Sequence, residues 1–337
     1  MKRRLQWKFA LLLIAPVAVY FYIAERNSWR PKAIELPDAR VGWLKFSPDG
    51  RYLLVTDVTG EVAHNIVVYD LTEGQVTNTI KEAGNPHFLE EGKSLAVFSG
   101  SMYSDASRTR VLSFPELRPL REHPSFGLYK GFKDAWPDDK TLSSQDEKDN
   151  IILWDIKTGT SKKIKLPLPS VARSIYDLRF LPDNRTVFIA EIEILIVDGD
   201  GKKNWDMRFC DIQTKRCRLV KQKKNLDFLN ASPNGICAFR DNNGNVEIWD
   251  YKTGQSKRTI KGNFSEVELS TDGATLATIS SHADGGLNIT LWDTHSGQRL
   301  RVLKGRSKGM GSLAFSPDGH TLAVGNYYGF VQLWRVK

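Results

Sequence analysis

Residues 312–335 read SLAFSPDGHTLAVGNYYGFVQLWR. Three alternating apolar runs, Leu313 to Phe315, Leu322 to Val324 and Val331 to Trp334, are separated first by Ser316-Pro317-Asp318-Gly319 and then by Tyr328-Gly329. Alternation broken by Pro, Asp and Gly at turn positions predicts three short strands joined by tight turns. Such a meander leaves sheet faces uncovered, so the pattern has to recur for the chain to build a core.

It recurs along the whole body. The residues at the Phe315 position are Phe46, Phe88, Ala135, Phe180, Ala231, Leu269 and Phe315, spaced by 42, 47, 45, 51, 38 and 46. Seven units with a period near forty-five predict a repeat array rather than a two-domain chain. Most units close on an aromatic strand and a polar turn: Tyr69-Asp70 with LTEG, Trp154-Asp155 with IKTG, Trp249-Asp250 with YKTG, and Trp292-Asp293 with THSG. The fourth has Cys210-Asp211, the second Ser113-Phe114-Pro115-Glu116 and the last Trp334-Arg335.

The FSPDG turns, the LWDxxTG endings and their spacing resemble the WD-repeat family of beta-propellers, over residues 40 to 337, and in particular its divergent bacterial branch. Gly305-Arg306 stands where many eukaryotic members carry Gly-His. The resemblance implies an all-β chain: a seven-bladed beta-propeller of four-stranded antiparallel blades over residues 33–337. Each blade would bury both faces against its neighbours, and Asp70, Asp155, Asp211, Asp250 and Asp293 would accept the hydrogen bonds that fix the turn after each third strand. The last unit lacks an outermost strand, and the isolated run Ala33 to Leu36 is expected to supply it and clasp the ring shut.

Ahead of the repeats, a basic segment (residues 1–8, with Lys2, Arg3, Arg4 and Lys8) precedes sixteen residues without formal charge, 9–24, FALLLIAPVAVYFYIA, and a linker, 25–32. We expect one transmembrane helix ahead of the propeller, its length completed by extending back to Leu5 with Lys8 reaching the interface. A cleaved signal peptide would need small residues at −3 and −1, yet a cut after Ala24 places Tyr22 at −3 and one after Ala18 places Pro16 there. The basic cluster argues for a cytoplasmic amino terminus, although Arg26, Arg30 and Lys32 dilute it, so the propeller is expected on the extracytoplasmic side, periplasmic or at the cell surface.

Of the formal charge of +9, residues 1–40 supply +5, leaving +4 over the body. With no basic helix, this argues against nucleic acid. Three cysteines make no disulfide framework. Cys210 and Cys217 would face each other if Asp211 pairs with Arg216 across a hairpin; the alternative is two separate thiols. Cys237 reads as a core residue.

The six histidines include no pair at metal-ligand spacing, so neither metal nor cofactor is expected. Gly305 to Gly309 matches G-x-S-x-G, but a strand follows it where a nucleophile elbow needs a helix. Asp198, Asp200, Asn204 and Asp206 resemble a calcium loop with Lys202 at a ligand position, which reads as a solvated turn. What remains is surface. The resemblance implies that the turns between second and third strands, and those at which each blade begins, gather on one rim. They offer Tyr103, Arg173, Trp205 (in the loop DGDGKKNWD), His282, Lys308, Tyr327 and Tyr328, and Tyr, Trp and Arg dominate binding hot spots. The expected function is a monomeric, non-catalytic docking platform for a protein partner. The alternatives are a lactonase-like hydrolase with a metal in the central channel, and an envelope-polysaccharide binder.

Overall fold

The computed structural model describes residues 31–337 except 37–38, 59–63, 100–107, 125–133, 136–139, 146–149, 169–172, 198–199, 223–225, 282–286 and 305–310. The chain forms seven four-stranded sheets, each antiparallel and each built from strands in sequence order, with one exception. Their innermost strands are Val41–Phe46, Gly84–Leu89, Asp134–Ala135, Arg173–Phe180, Leu226–Ala231, Glu266–Leu269 and Gly311–Phe315 in blades 1 to 7. Every residue aligned with Phe315 in the sequence lies at or next to the end of an innermost strand.

The exception is blade 7, whose outermost strand is Lys32–Glu35, paired with Phe330–Arg335 from the other end of the chain. Sharing one sheet between the two ends closes the ring. The strand Phe330–Arg335 begins just after the Tyr327-Tyr328 turn, and its partner runs antiparallel to it, with Glu35 opposite Phe330 and Lys32 opposite Leu333. The chain ahead of Lys32 therefore departs from the face carrying the SPDG turns, here named the turn face, and Leu36 emerges on the opposite, loop face.

Packing explains why the strands read as apolar on both sides. Seven clusters of buried side chains fill the seven spaces between blades, for example Leu54, Ile66 and Val68 of blade 1 against Leu95, Val97 and Phe114 of blade 2. At the seam, Ile34, Val331 and Ala323 of blade 7 meet Val41, Leu44 and Leu53 of blade 1. Outer strands clip neighbouring blades together: Asn78 donates to the carbonyl of Pro115 (3.3 Å) and Arg121 to that of Ile156 (2.7 Å), each in the third turn of the next blade.

Turn chemistry repeats as the motifs demand. In blades 1, 6 and 7 a serine hydroxyl (Ser47, Ser270, Ser316) donates to the aspartate two residues on, and that carboxylate accepts the backbone N–H of Arg51, Ala274 or His320. The expected turn aspartates behave alike: Asp70 accepts from Thr72 and Glu73, Asp155 from Lys157 and Thr158, Asp211 from Gln213 and Thr214, Asp250 from Lys252 and Thr253, and Asp293 from Ser296. The residue completing this turn has positive φ. It is Gly in most blades, but Leu117 (58°) in blade 2 and Lys215 (58°) in blade 4, the units whose endings depart from the motif.

Asp211 N–H donates to the Arg216 carbonyl (2.9 Å), Cys210 lies opposite Cys217 with Cα atoms 4.0 Å apart, and the two are disulfide-bonded. Of the readings open from sequence, the bonded one holds; Cys237 is free and buried. Among the described residues the helical content is one 3₁₀ turn, Glu90–Gly92, and no helix is long and apolar enough to cross a membrane. The basic segment 1–8, the apolar segment 9–24 and the linker up to residue 30 lie outside the described residues.

Candidate functional site

Two regions of the ring carry chemistry: the loop face at the seam, and the wall of the central channel. At the seam, the second and third strands of blade 7 meet in Asn326-Tyr327-Tyr328-Gly329. Asn326 shapes this turn by accepting the N–H groups of Tyr328 and Phe330, both at 3.0 Å. Gly329 (φ 79°) accepts from Leu36 N–H at 2.8 Å, which lays the chain leaving Lys32–Glu35 directly against the turn. With the backbone pinned on both sides, the tyrosines project outward: Tyr327 is 41% exposed and Tyr328 64%. Phe330 on the same blade is 42% exposed, and Trp43, near the loop-face end of the innermost strand of blade 1, is 58% exposed. These four are all the exposed large aromatics among the described residues, and all belong to two adjacent blades.

The other rim residues expected from sequence are placed less closely. Arg173 is the first residue of the innermost strand of blade 4, and Trp205 lies within the strand Asp200–Asp211, opposite Ile192, not in a loop. The long fourth unit is a hairpin of two twelve-residue strands, Thr186–Val197 and Asp200–Asp211. Only the backbone is described at Arg173 and Trp205, and Tyr103, His282 and Lys308 lie outside the described residues. Asp206 is no loop ligand: its buried carboxylate accepts from Arg208 at 2.8 Å. Sequence reasoning did not single out Trp43 and Phe330 because it looked to the turns, whereas each lies in a strand.

In the channel, the residue just before the aligned strand-end position is polar in most blades: Lys45, His87, Arg179, Asn230 and Glu268, with Asp134 at that position of blade 3. Repetition of one backbone geometry around an axis brings them to one level. Lys45 Nζ donates to the Pro86 carbonyl (3.2 Å), and Asn230 Nδ2 to Glu268 Oε1 (3.2 Å). Burial, then the charges of Lys45 and Arg179, hold His87 well below its ordinary pKa, keeping it neutral. Burial lifts Glu268 to about 8 against the opposing pull of Asn230 and Lys45, so it carries its proton at pH 7. Among the described residues, no three His, Cys, Asp or Glu side chains gather as a metal site.

These carboxyls set opposite pH trends. The turn aspartates are held below the ordinary carboxyl range: Asp70 chiefly by the Arg51 hydrogen bond, Asp155 by the Thr158 N–H and hydroxyl, and Asp293 by Ser296. At Asp211 and Asp250 burial is the largest influence and pushes upward, but the summed hydrogen bonds from Thr214 and Arg185, and from Thr253 and Lys257, prevail. A depressed folded-state pKa gives stability that is present above the unfolded value, about 4, and lost below it. Glu268, raised to about 8, gives the reverse: stability is full below about 4 and declines as pH rises to 8. His87, held neutral, gives stability that is lost as pH falls below about 6.5 and so offsets Glu268 between about pH 4.5 and 6.5. Thermal stability should therefore be roughly level over that window and decline from about pH 6.5 to 8, and Glu268→Gln should reduce that decline, to which Glu266, also raised by burial, contributes, while leaving the acid limb intact.

Comparison with known proteins agrees with this architecture. Residues 297–335, the end of blade 6 and blade 7, match the family model described as WD domain, G-beta repeat. No curated protein matches the chain in sequence. Among solved structures, the beta-propeller domain of Cps50 (Swd1) from Myceliophteria thermophila is similar with a TM-score of 0.65 at 13% identity, over 91% of this chain and all of that one. At that identity the likeness shows fold alone; the chain is a seven-bladed beta-propeller whose last blade matches a WD repeat.

Proposed function

We propose that the chain is a docking platform for a protein partner, tethered to a membrane by residues 9–24, with the loop face of blades 7 and 1 as its docking surface. The observation that carries this reading is that the exposed large aromatics among the described residues, Trp43, Tyr327, Tyr328 and Phe330, all belong to two adjacent blades. Large aromatics on a rigid frame bury much area for little conformational entropy, which is the make-up of a binding hot spot. The path of the chain supports the tether. It leaves Lys32 from the turn face, so a membrane on that side keeps the aromatic surface turned toward the aqueous compartment. A monomeric propeller outside the cytoplasm is the reading that goes with this: it is supported by the Cys210–Cys217 bond, which suits an oxidising compartment, and by the basic amino terminus, which suits retention on the cytoplasmic side.

The test is affinity purification of the full-length chain from gently solubilised membranes, beside Tyr327→Ala/Tyr328→Ala. A stoichiometric protein partner is expected with the parent chain, and its affinity should fall at least about 30-fold in the variant, since hot-spot truncations cost about 2 kcal/mol or more. Both side chains are exposed, so the variant should melt with the parent. A partner retained equally by the variant would refute this docking surface. Release of the chain from membranes by alkaline carbonate would refute the tether separately.

A further inference from the structure

The outer circumference of the ring carries a second, oppositely styled surface. The outermost strands of blades 3 to 6 are Ser161–Ile164 (SKKI), Cys217–Gln222 (CRLVKQ), Gln255–Ile260 (QSKRTI) and Arg299–Lys304 (RLRVLK). Together they hold nine Lys or Arg and no Asp or Glu. Residues 41–337 carry a net +4, so everything outside these four strands is net −5. The outermost strands of blades 7, 1 and 2, by contrast, are KAIE, QVTNTI and PLREHP, each with no net charge. Lysine on an edge strand ordinarily blocks strand-to-strand aggregation. That account asks for charge on every exposed edge, yet Gln75–Ile80 of blade 1 is exposed over most of its length and has none. The charge is sorted to four consecutive blades, more than half the circumference.

From this sorting we infer that blades 3 to 6 present a binding track for a linear acidic polysaccharide. The track stands independently of the aromatic docking surface. With sheet strands about 4.8 Å apart, outermost strands of neighbouring blades lie roughly 20 Å from one another on a convex arc. A flat bilayer touches such an arc at one or two blades, whereas a flexible polyanion follows all four. Among the described residues the exposed large apolar side chains on these strands are Leu219, Leu300 and Val302, with no aromatic among them. Single-stranded nucleic acid binds through backbone charge together with aromatic stacking, and no exposed aromatic is described on these strands to supply the second. A polymer with carboxylates at an even pitch along a sugar backbone needs only the positive track, and its binding is weakened by salt.

The test uses the full-length chain in detergent, polygalacturonate as probe and dextran as neutral control, with binding followed from 50 to 200 mM NaCl. Lys162, Lys163, Arg299 and Lys304 are exposed, and reversing all four to Glu should lower affinity at least about tenfold. Reversing Lys93, Arg118, Arg216 and Arg335, exposed on the turn face, changes net charge equally and should cost no more than about threefold. Unfolding curves of both variants establish that each is folded; should the first fail to fold, the single reversals Lys162→Glu and Arg299→Glu take its place. Equal losses in the two variants, no binding at 50 mM salt, or binding to dextran would overturn the track. Tighter track-dependent binding to single-stranded DNA or to anionic vesicles than to polygalacturonate would overturn the assigned class.

Discussion

Gly329→Ala is expected to destabilise the propeller by about 3 kcal/mol or more, lowering the thermal midpoint by roughly 6 °C. At this residue φ is 79°, and an added Cβ would sit 2.1 Å from the Leu36 carbonyl oxygen and 2.9 Å from that of Ala39. Both obstacles are backbone, in the segment joining the strand Lys32–Glu35 to blade 1, so no side-chain rotation relieves them. Either the Tyr327-Tyr328 turn or the closing strand has to move, and with it the hydrogen bond from Leu36 N–H to Gly329. Gly319→Ala isolates the clash from the backbone preference. Its φ is 68° and the nearest atom to an added Cβ is Lys337 Nζ at 3.6 Å, so only the left-handed conformation is penalised, at about 1 to 2 kcal/mol. Urea or thermal unfolding of the two variants measures the difference, and equal losses would contradict the tight seam.

Arg208→Met should cost a similar or larger amount, about 3 to 5 kcal/mol. In blade 4 the guanidinium is 12% exposed and bridges Glu191 (2.7 Å) and Asp206 (2.8 Å), whose side chains are 2% and 7% exposed. Removing the cation leaves two carboxylates side by side and away from water. The neutral triple variant Arg208→Met/Glu191→Gln/Asp206→Asn should recover most of the loss, because a neutral buried set carries little desolvation cost. Unfolding curves of the single and triple variants decide this; a triple variant no better than the single would show that packing by the arginine stem, not charge, matters there.

Much of this fold was legible in the sequence because a propeller repeats its local chemistry. Phe46, Phe180 and Phe315 mark equivalent strand ends, and Asp70, Asp155, Asp250 and Asp293 mark equivalent turns, so seven units could be counted from residue types, and the resemblance to WD-repeat propellers turned them into blades closed by the strand near Ile34. Blades 2 and 4 kept the same turn without its glycine, as Leu117 and Lys215 adopt the left-handed conformation that Gly fills elsewhere. The site was harder to read. Alternation tells which residues share a sheet face but not whether that face meets a neighbouring blade, the channel or water, and so Trp43 and Phe330, both in strands, did not stand out. Lys45, His87, Arg179, Asn230 and Glu268 each precede the strand-end residue used to count blades. Their shared offset was the signal of a polar channel wall, visible once one asks what seven inner strands bring to a common axis. Trp205 was misplaced in a loop because the turn residues of DGDGKK suggested a long connection, whereas the strands on either side extend almost to meet.

The central claim, that a partner protein docks on the loop face of blades 7 and 1, is tested most directly by site-specific photo-crosslinking of the full-length chain in the membranes of its own cells. A photoreactive phenylalanine analogue would be placed at Tyr328 or Trp43 on the loop face, and at Glu73 or His295 on the turn face. The account predicts that Tyr328 and Trp43 capture the same protein and that Glu73 and His295 do not. Capture from the turn face alone, or no product from either loop-face position, would contradict it.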